Sequence, residues 1–158
     1  MRRVCLCGSL DTALNRLLQV TCGFNDQLYL PLFLRFHESM LTQSEAKKFC
    51  EDEQQVPARL IEIDSAEENS VIIAEIKRRN FVSRKIEFWL GITDRHSEGQ
   101  WVLESTGERL VFANWSSREP INQEENCAHI NSKYKWMDRG CDHKTGRGKW
   151  KRTALCEI

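Results

Sequence analysis

The sequence lacks a long apolar run. Nowhere do about 18 apolar residues follow one another, the length a transmembrane helix needs, so no membrane-spanning helix is expected. It also lacks net charge: 23 basic residues balance 23 acidic ones. With no overall field, a nucleic-acid partner or an anionic membrane surface is not expected. There is no Cys-x-x-Cys pair, which argues against a zinc ribbon and against a thioredoxin-type redox centre. No internal repeat is visible. No nucleophile motif or acid–base constellation is present either, so an enzyme is not expected, a glycosidase with paired carboxylates included.

What is present begins with seven cysteines: Cys5, Cys7, Cys22, Cys50, Cys127, Cys141 and Cys156. That is many for 158 residues, a length that suits one domain with a single core. It points to an oxidising, extracellular setting. The N-terminus, "MRRVCLCGSLDTALNRLLQVTC", starts basic and carries a small-residue patch. Asp11, Asn15 and Arg16 then interrupt what a signal peptide keeps apolar, so a secretory leader is not clearly recognisable.

Order emerges after residue 28. "LYLPLFLRF" reads as a strand, with Pro31 at an edge or start. In "TQSEAKKFCEDEQQ", Thr42 and Glu45 form a capping box, and Ala46, Phe49 and Cys50 share one helical face. "ARLIEI" alternates like a half-buried strand. "DSAEENSVIIAEIKRRN" is a second helix, capped by Ser65 and Glu68 and closed by Lys77, Arg78 and Arg79, as the macrodipole prefers. From there "EFWLGITD", "GQWVLES", "ERLVFANW", "CAHINS", "KWMD" and "KWKRTALCEI" read as short strands. Two helices followed by strands make an α+β fold. Trp89, Trp101, Trp115 and Trp136 are expected in the core. The basic stretch "DHKTGRGKWKRT" reads as a solvated loop.

The fragments "SEAKKFC", "ARLIEI", "FWLGITD", "EGQW", "FANW", "REP", "ENCA", "WMD" and "ALCEI" occur in an order and at spacings that resemble the C-type lectin-like domain. The resemblance covers residues 29–158 and leaves residues 1–28 unassigned. It implies two helices packed on short antiparallel sheets, a long ligand-binding loop region, and two disulfides, Cys50–Cys156 and Cys127–Cys141. Many members open with an additional cysteine-stapled hairpin, for which Cys22 finds no partner at the usual distance.

The same resemblance implies calcium, a hard cation that takes ~6 to 8 oxygen ligands. The sugar-binding position maps onto Glu119, Glu125 and Asp138. Ile121 and Met137 stand where the family has asparagines, which would give oxygen to the ion and N–H to a sugar hydroxyl. Asn122 is placed to take over one of these roles if the loop is reshaped. An auxiliary calcium position maps onto Asp94, Glu98, Asn122, Glu125 and Asn126, with fewer charges than usual and hence looser binding. The bond before Pro120 is expected cis in the calcium-bound form. Glu124 reads as solvent-facing; His37, His96, His129 and His143 show no ligand spacing.

The reading is thus an extracellular, secreted, calcium-dependent carbohydrate-binding module with a degraded sugar site. The Glu-Pro pair implies mannose-type ligands. The alternative is the same fold binding a protein or another non-sugar surface, where the Lys144–Arg152 segment makes an anionic contact.

Overall fold

The capping box at Thr42 forms as the sequence requires. The Thr42 hydroxyl accepts from the Glu45 N–H at 3.1 Å, and Glu45 Oε2 accepts from the Thr42 N–H at 2.8 Å. In the computed structural model, which describes residues 4–5, 30–31, 34–37, 39–52, 57–121, 124–145 and 150–158, this box starts α1 (Gln43–Glu51). Ala46 and Cys50 on its inner face are fully buried, and Phe49 packs beside them.

The second helix, α2 (Ala66–Arg78), departs from its expected cap in one detail. Ser65 accepts from the Glu68 N–H, but Glu68 turns past Ser65 to accept from the Asp64 N–H at 3.1 Å. Ile72, Ile73 and Ile76 form its buried stripe, each side chain contributing about 1.5–3 kcal/mol on burial.

The strands are β1 (Val4–Cys5), β2 (Leu30–Pro31), β3 (Leu34–Phe36), β4 (Arg59–Leu60), β5 (Ile86–Thr93), β6 (Val102–Leu103), β7 (Cys127–Ile130), β8 (Trp136–Arg139), β9 (Lys151–Thr153) and β10 (Leu155–Glu157). β1 and β2 pair in parallel. β10 lies between β3 and β4, antiparallel to both. The other sheet runs β6-β5-β7-β8, with β9 parallel to the start of β5. Two expected strands come out differently. "KWKRTALCEI" divides into β9 and β10, which serve different sheets. "ERLVFANW" forms no strand, only two isolated bridges: Arg109 to Val102, where Gly107 at φ +72° turns the chain straight back and Leu110 N–H bonds Trp101 O, and Trp115 to Trp136.

β5 is buried along its whole length. Its Gly91 is dictated by space: a Cβ there would sit 2.8 Å from Glu62 Cγ and 2.9 Å from the Leu60 carbonyl oxygen. Phe88, Leu90 and Ile92 meet the α2 stripe, with Ile130, Trp136 and Leu155 completing the core. Trp89, Trp101 and Trp136 are buried as expected, and Trp115 is half-buried against Trp101 and Trp136.

Cys50 is bonded to Cys156 and Cys127 to Cys141. The first ties α1 to β10 across 106 residues; in the chain-entropy model such a loop is worth about 4–5 kcal/mol. The second closes a 14-residue separation, worth about 3 kcal/mol. Cys7 and Cys22 lie outside the described residues.

Candidate functional site

β8 alternates. Trp136 and Asp138 face the buried side of the sheet, and Met137 and Arg139 the other side. Asp138 is almost wholly buried, and its Oδ2 accepts the Ile121 N–H at 3.0 Å. That bond fastens the loop 118–121 onto β8. The loop turns sharply: Arg118 sits at φ +72°, and the Glu119–Pro120 bond is cis. Ile121 therefore serves the site through its backbone, while its side chain is 66% exposed.

The turn brings the Glu119 carboxyl to Asp138. Burial, hydrogen bonding with Asp138 and the Asp138 charge push the Glu119 carboxyl up to about 7, with Arg139 opposing. Glu119 Oε2 is buried and has no hydrogen-bond partner. Two adjacent carboxyls, one with an orphaned buried oxygen, suit a hard cation, which would supply the missing partner and screen the repulsion. On this test Glu119 and Asp138 fit calcium. The side chains of Ile121 and Met137 add no oxygen.

Glu125 stands apart from this pair. Its Oε2 accepts from Arg139 Nη1 at 2.8 Å, and the same nitrogen donates to the Asp138 carbonyl oxygen at 2.9 Å. With Glu125 turned to Arg139, no group of three acidic, histidine or cysteine side chains is poised for a metal among the described residues. Arg139 is the residue that reading the sequence missed. Its signal was available only as a cation directly following a presumed ligand. A cavity of about 700 Å³ opens beside these groups, with Glu119, Glu125, Met137 and Arg139 among its walls.

The auxiliary residues are partly assembled. Asp94 is buried at the end of β5; its Oδ2 accepts the Gly99 N–H at 2.9 Å and its Oδ1 the Asn126 Nδ2 at 3.2 Å. Gly99, at φ +73°, allows that turn. Glu98 is exposed; its carboxyl is raised by desolvation and then by the charges of Asp94 and Asp138. Asn122 lies outside the described residues. Glu124 is exposed.

The basic stretch is exposed over residues 142–145, as a solvated loop is expected to be, and corrects that expectation at its other described end. Lys144 pairs with Glu45 at 2.8 Å. Arg152 is buried in β9, where its Nη1 donates to the carbonyl oxygens of His143 and Thr145 and its Nε faces Glu87. His129, fully buried on β7, lies 3.4 Å from the same Glu87 carboxylate. Residues 146–149 lie outside the described residues.

The Lectin C-type domain family matches residues 39–157. The hepatic lectin of Gallus gallus is 34% identical over 113 residues, covering 69% of this chain and 49% of that protein. Pulmonary surfactant-associated protein D of Bos taurus is 27% identical over 157 residues, covering 96% of this chain and 39% of that protein. The chain thus spans about half the length of these relatives or less. Among solved structures, the cow carbohydrate-recognition domain of CD23, determined in the presence of a GlcNAc2Man3 oligosaccharide, is 26% identical with a TM-score of 0.61; the match covers 79% of this chain and 85% of that one. Herring type II antifreeze protein, 22% identical over 84% of this chain and 94% of that one, shares the fold with a TM-score of 0.62.

Proposed function

Because the chain belongs to the C-type lectin domain family, we propose that it is a calcium-dependent carbohydrate-binding module with a weakened sugar position. The domain comprises residues 29–158. The observation that carries this reading is the meeting of Glu119 and Asp138: two carboxyls, fixed by the loop 118–121, with a buried oxygen that has no partner. Glu125 would join them at the sugar position. Asp94, Glu98 and Asn126, with Asn122 and Glu125, would hold an auxiliary ion. Glu119-Pro120 favours mannose-type sugars by resemblance. Without the two asparagines, the sugar loses two N–H donors and the ion two oxygens, so affinity for both is low. The disulfides Cys50–Cys156 and Cys127–Cys141 suit an extracellular, secreted setting.

The test is a calorimetric calcium titration followed by a glycan array with and without chelator. Chelator-sensitive glycan signal supports the reading. Calcium uptake with no glycan signal, or binding to a protein that survives chelator, favours the second reading, a non-sugar ligand. The exposed Ile121 side chain is the observation behind that alternative: it offers an apolar contact where a sugar-binding loop offers an amide.

A further inference from the structure

Glu125 and the Asp138 carbonyl oxygen converge on a single cation that the chain itself supplies. Arg139 Nη1 lies 2.8 Å from the carboxylate and 2.9 Å from the carbonyl. The arrangement follows from strand register. Arg139 on β8 stands opposite Cys127 on β7, which places Glu125, two residues before Cys127, within reach of the guanidinium. Both side chains are largely shielded, at 24% and 17% exposure. Met137, their neighbour on the same face of β8, offers no competing carboxylate or amide. Glu119 meets Asp138 beside them, near enough to feel the Glu125 charge, while the Glu125 carboxylate itself is turned to Arg139.

We propose that Arg139 is an intramolecular competitor of calcium. In the metal-free domain its guanidinium holds Glu125 and the Asp138 carbonyl, and an ion completes its shell at the sugar position only by displacing it. The inference rests on the reading that this loop takes calcium, and it adds how that uptake is set. The chemistry favours exclusion over coexistence. A guanidinium and a divalent ion repel at such range, and both demand the same oxygens. A carboxylate already satisfied by a charge-assisted bond gains less from an ion than a solvated one. Calcium affinity at this position is therefore tuned through a residue that provides no ligand atom.

The experiment uses the full chain in three forms: wild type, Arg139→Met and Lys133→Gln. Lys133 borders the same cavity and controls for the loss of one positive charge nearby. Calcium titration by calorimetry should show at least tenfold tighter binding for Arg139→Met, with Lys133→Gln within threefold of wild type. A larger calcium-induced rise in melting temperature should accompany the gain. In wild type, the Arg139 side-chain N–H resonance should lose its protection from exchange when calcium is added. That measurement stands even if the methionine variant fails to fold. Unchanged calcium affinity in Arg139→Met, an equal gain in Lys133→Gln, or an Arg139 signal indifferent to bound calcium would overturn the proposal and leave the lectin reading intact. No calcium uptake by any form would overturn the calcium reading itself. Tighter calcium binding in Arg139→Met with no glycan signal would uphold the competitor and sink the sugar.

Discussion

Glu87 and Arg152 stand directly opposite each other in the parallel pairing of β5 with β9, their charged ends 3.5 Å apart and both side chains almost wholly buried. His129 joins them from β7. The Glu87 carboxyl is held below its ordinary range despite burial, by hydrogen bonding with His129, by its charge and by that of Arg152. Burial holds the His129 imidazole below its usual range. Removing one partner of such a cluster leaves a buried uncompensated charge. Arg152→Met should therefore destabilise the domain by about 3–5 kcal/mol, read by urea denaturation. Arg152→Met with Glu87→Leu should recover much of that loss. A single variant as stable as wild type would show that Glu87 gains solvent.

Glu75 gives the acid limb of the stability profile. Hydrogen bonding with Arg78 first, and then with Arg79, brings its carboxyl down to about 2 against the opposing effect of burial. A lowered carboxyl stabilises the fold above its unfolded range, and the contribution disappears as pH falls from about 4.5 towards 2. Glu75→Gln should lower the melting temperature at pH 7 and converge with wild type at pH 2. Parallel melting curves at every pH would count against the ion pairs.

Glu68 has the opposite sign. Burial pushes its carboxyl up to about 7, so the folded state keeps a proton that the unfolded state releases between about 4.5 and 7. Its contribution therefore falls as pH rises through that window. Glu68→Gln keeps an oxygen for the Asp64 N–H and removes the buried charge. It should stabilise the domain by about 1 kcal/mol or more at pH 8 and have little effect at pH 4. Melting temperatures at the two values decide it.

Restoring the two amides tests the sugar position. Ile121→Asn with Met137→Asn returns two oxygens to an ion and two donors to a sugar. Mannose-type ligands should bind at least about tenfold more tightly, a gain of only ~1.4 kcal/mol. The increase should vanish with chelator and with Asp138→Ala. Calcium uptake without any gain for a hexose would show that loop 118–121 lacks lectin geometry.

Much of this was legible in the sequence because it is local. The Thr42–Glu45 cap, the α2 isoleucine stripe and the aromatic core are patterns within one element. The order of the lectin-like fragments carried the two disulfides as well. Partnerships across elements stayed hidden. Arg152 sits among basic residues and reads as solvated; only the pairing of β9 with β5 sets it opposite Glu87. Arg139 looks like a surface residue until β8 is laid beside β7. Glu68 was expected to answer Ser65 and answers Asp64, a choice made by the chain's entry into α2.

The position of β10 between β3 and β4 bears on biosynthesis. β10 is made long after the two strands that it joins, and its Cys156 is the partner of a cysteine 106 residues upstream. On an emerging nascent chain, β3 and β4 have no strand to pair with among those described until residues 155–157 leave the ribosomal tunnel. Closure of this sheet is then a late event dominated by contacts distant in sequence, the kind that form slowly. Until it happens, two unpaired strands and a reduced Cys50 are exposed together, and that interval is when the chain is most prone to aggregate.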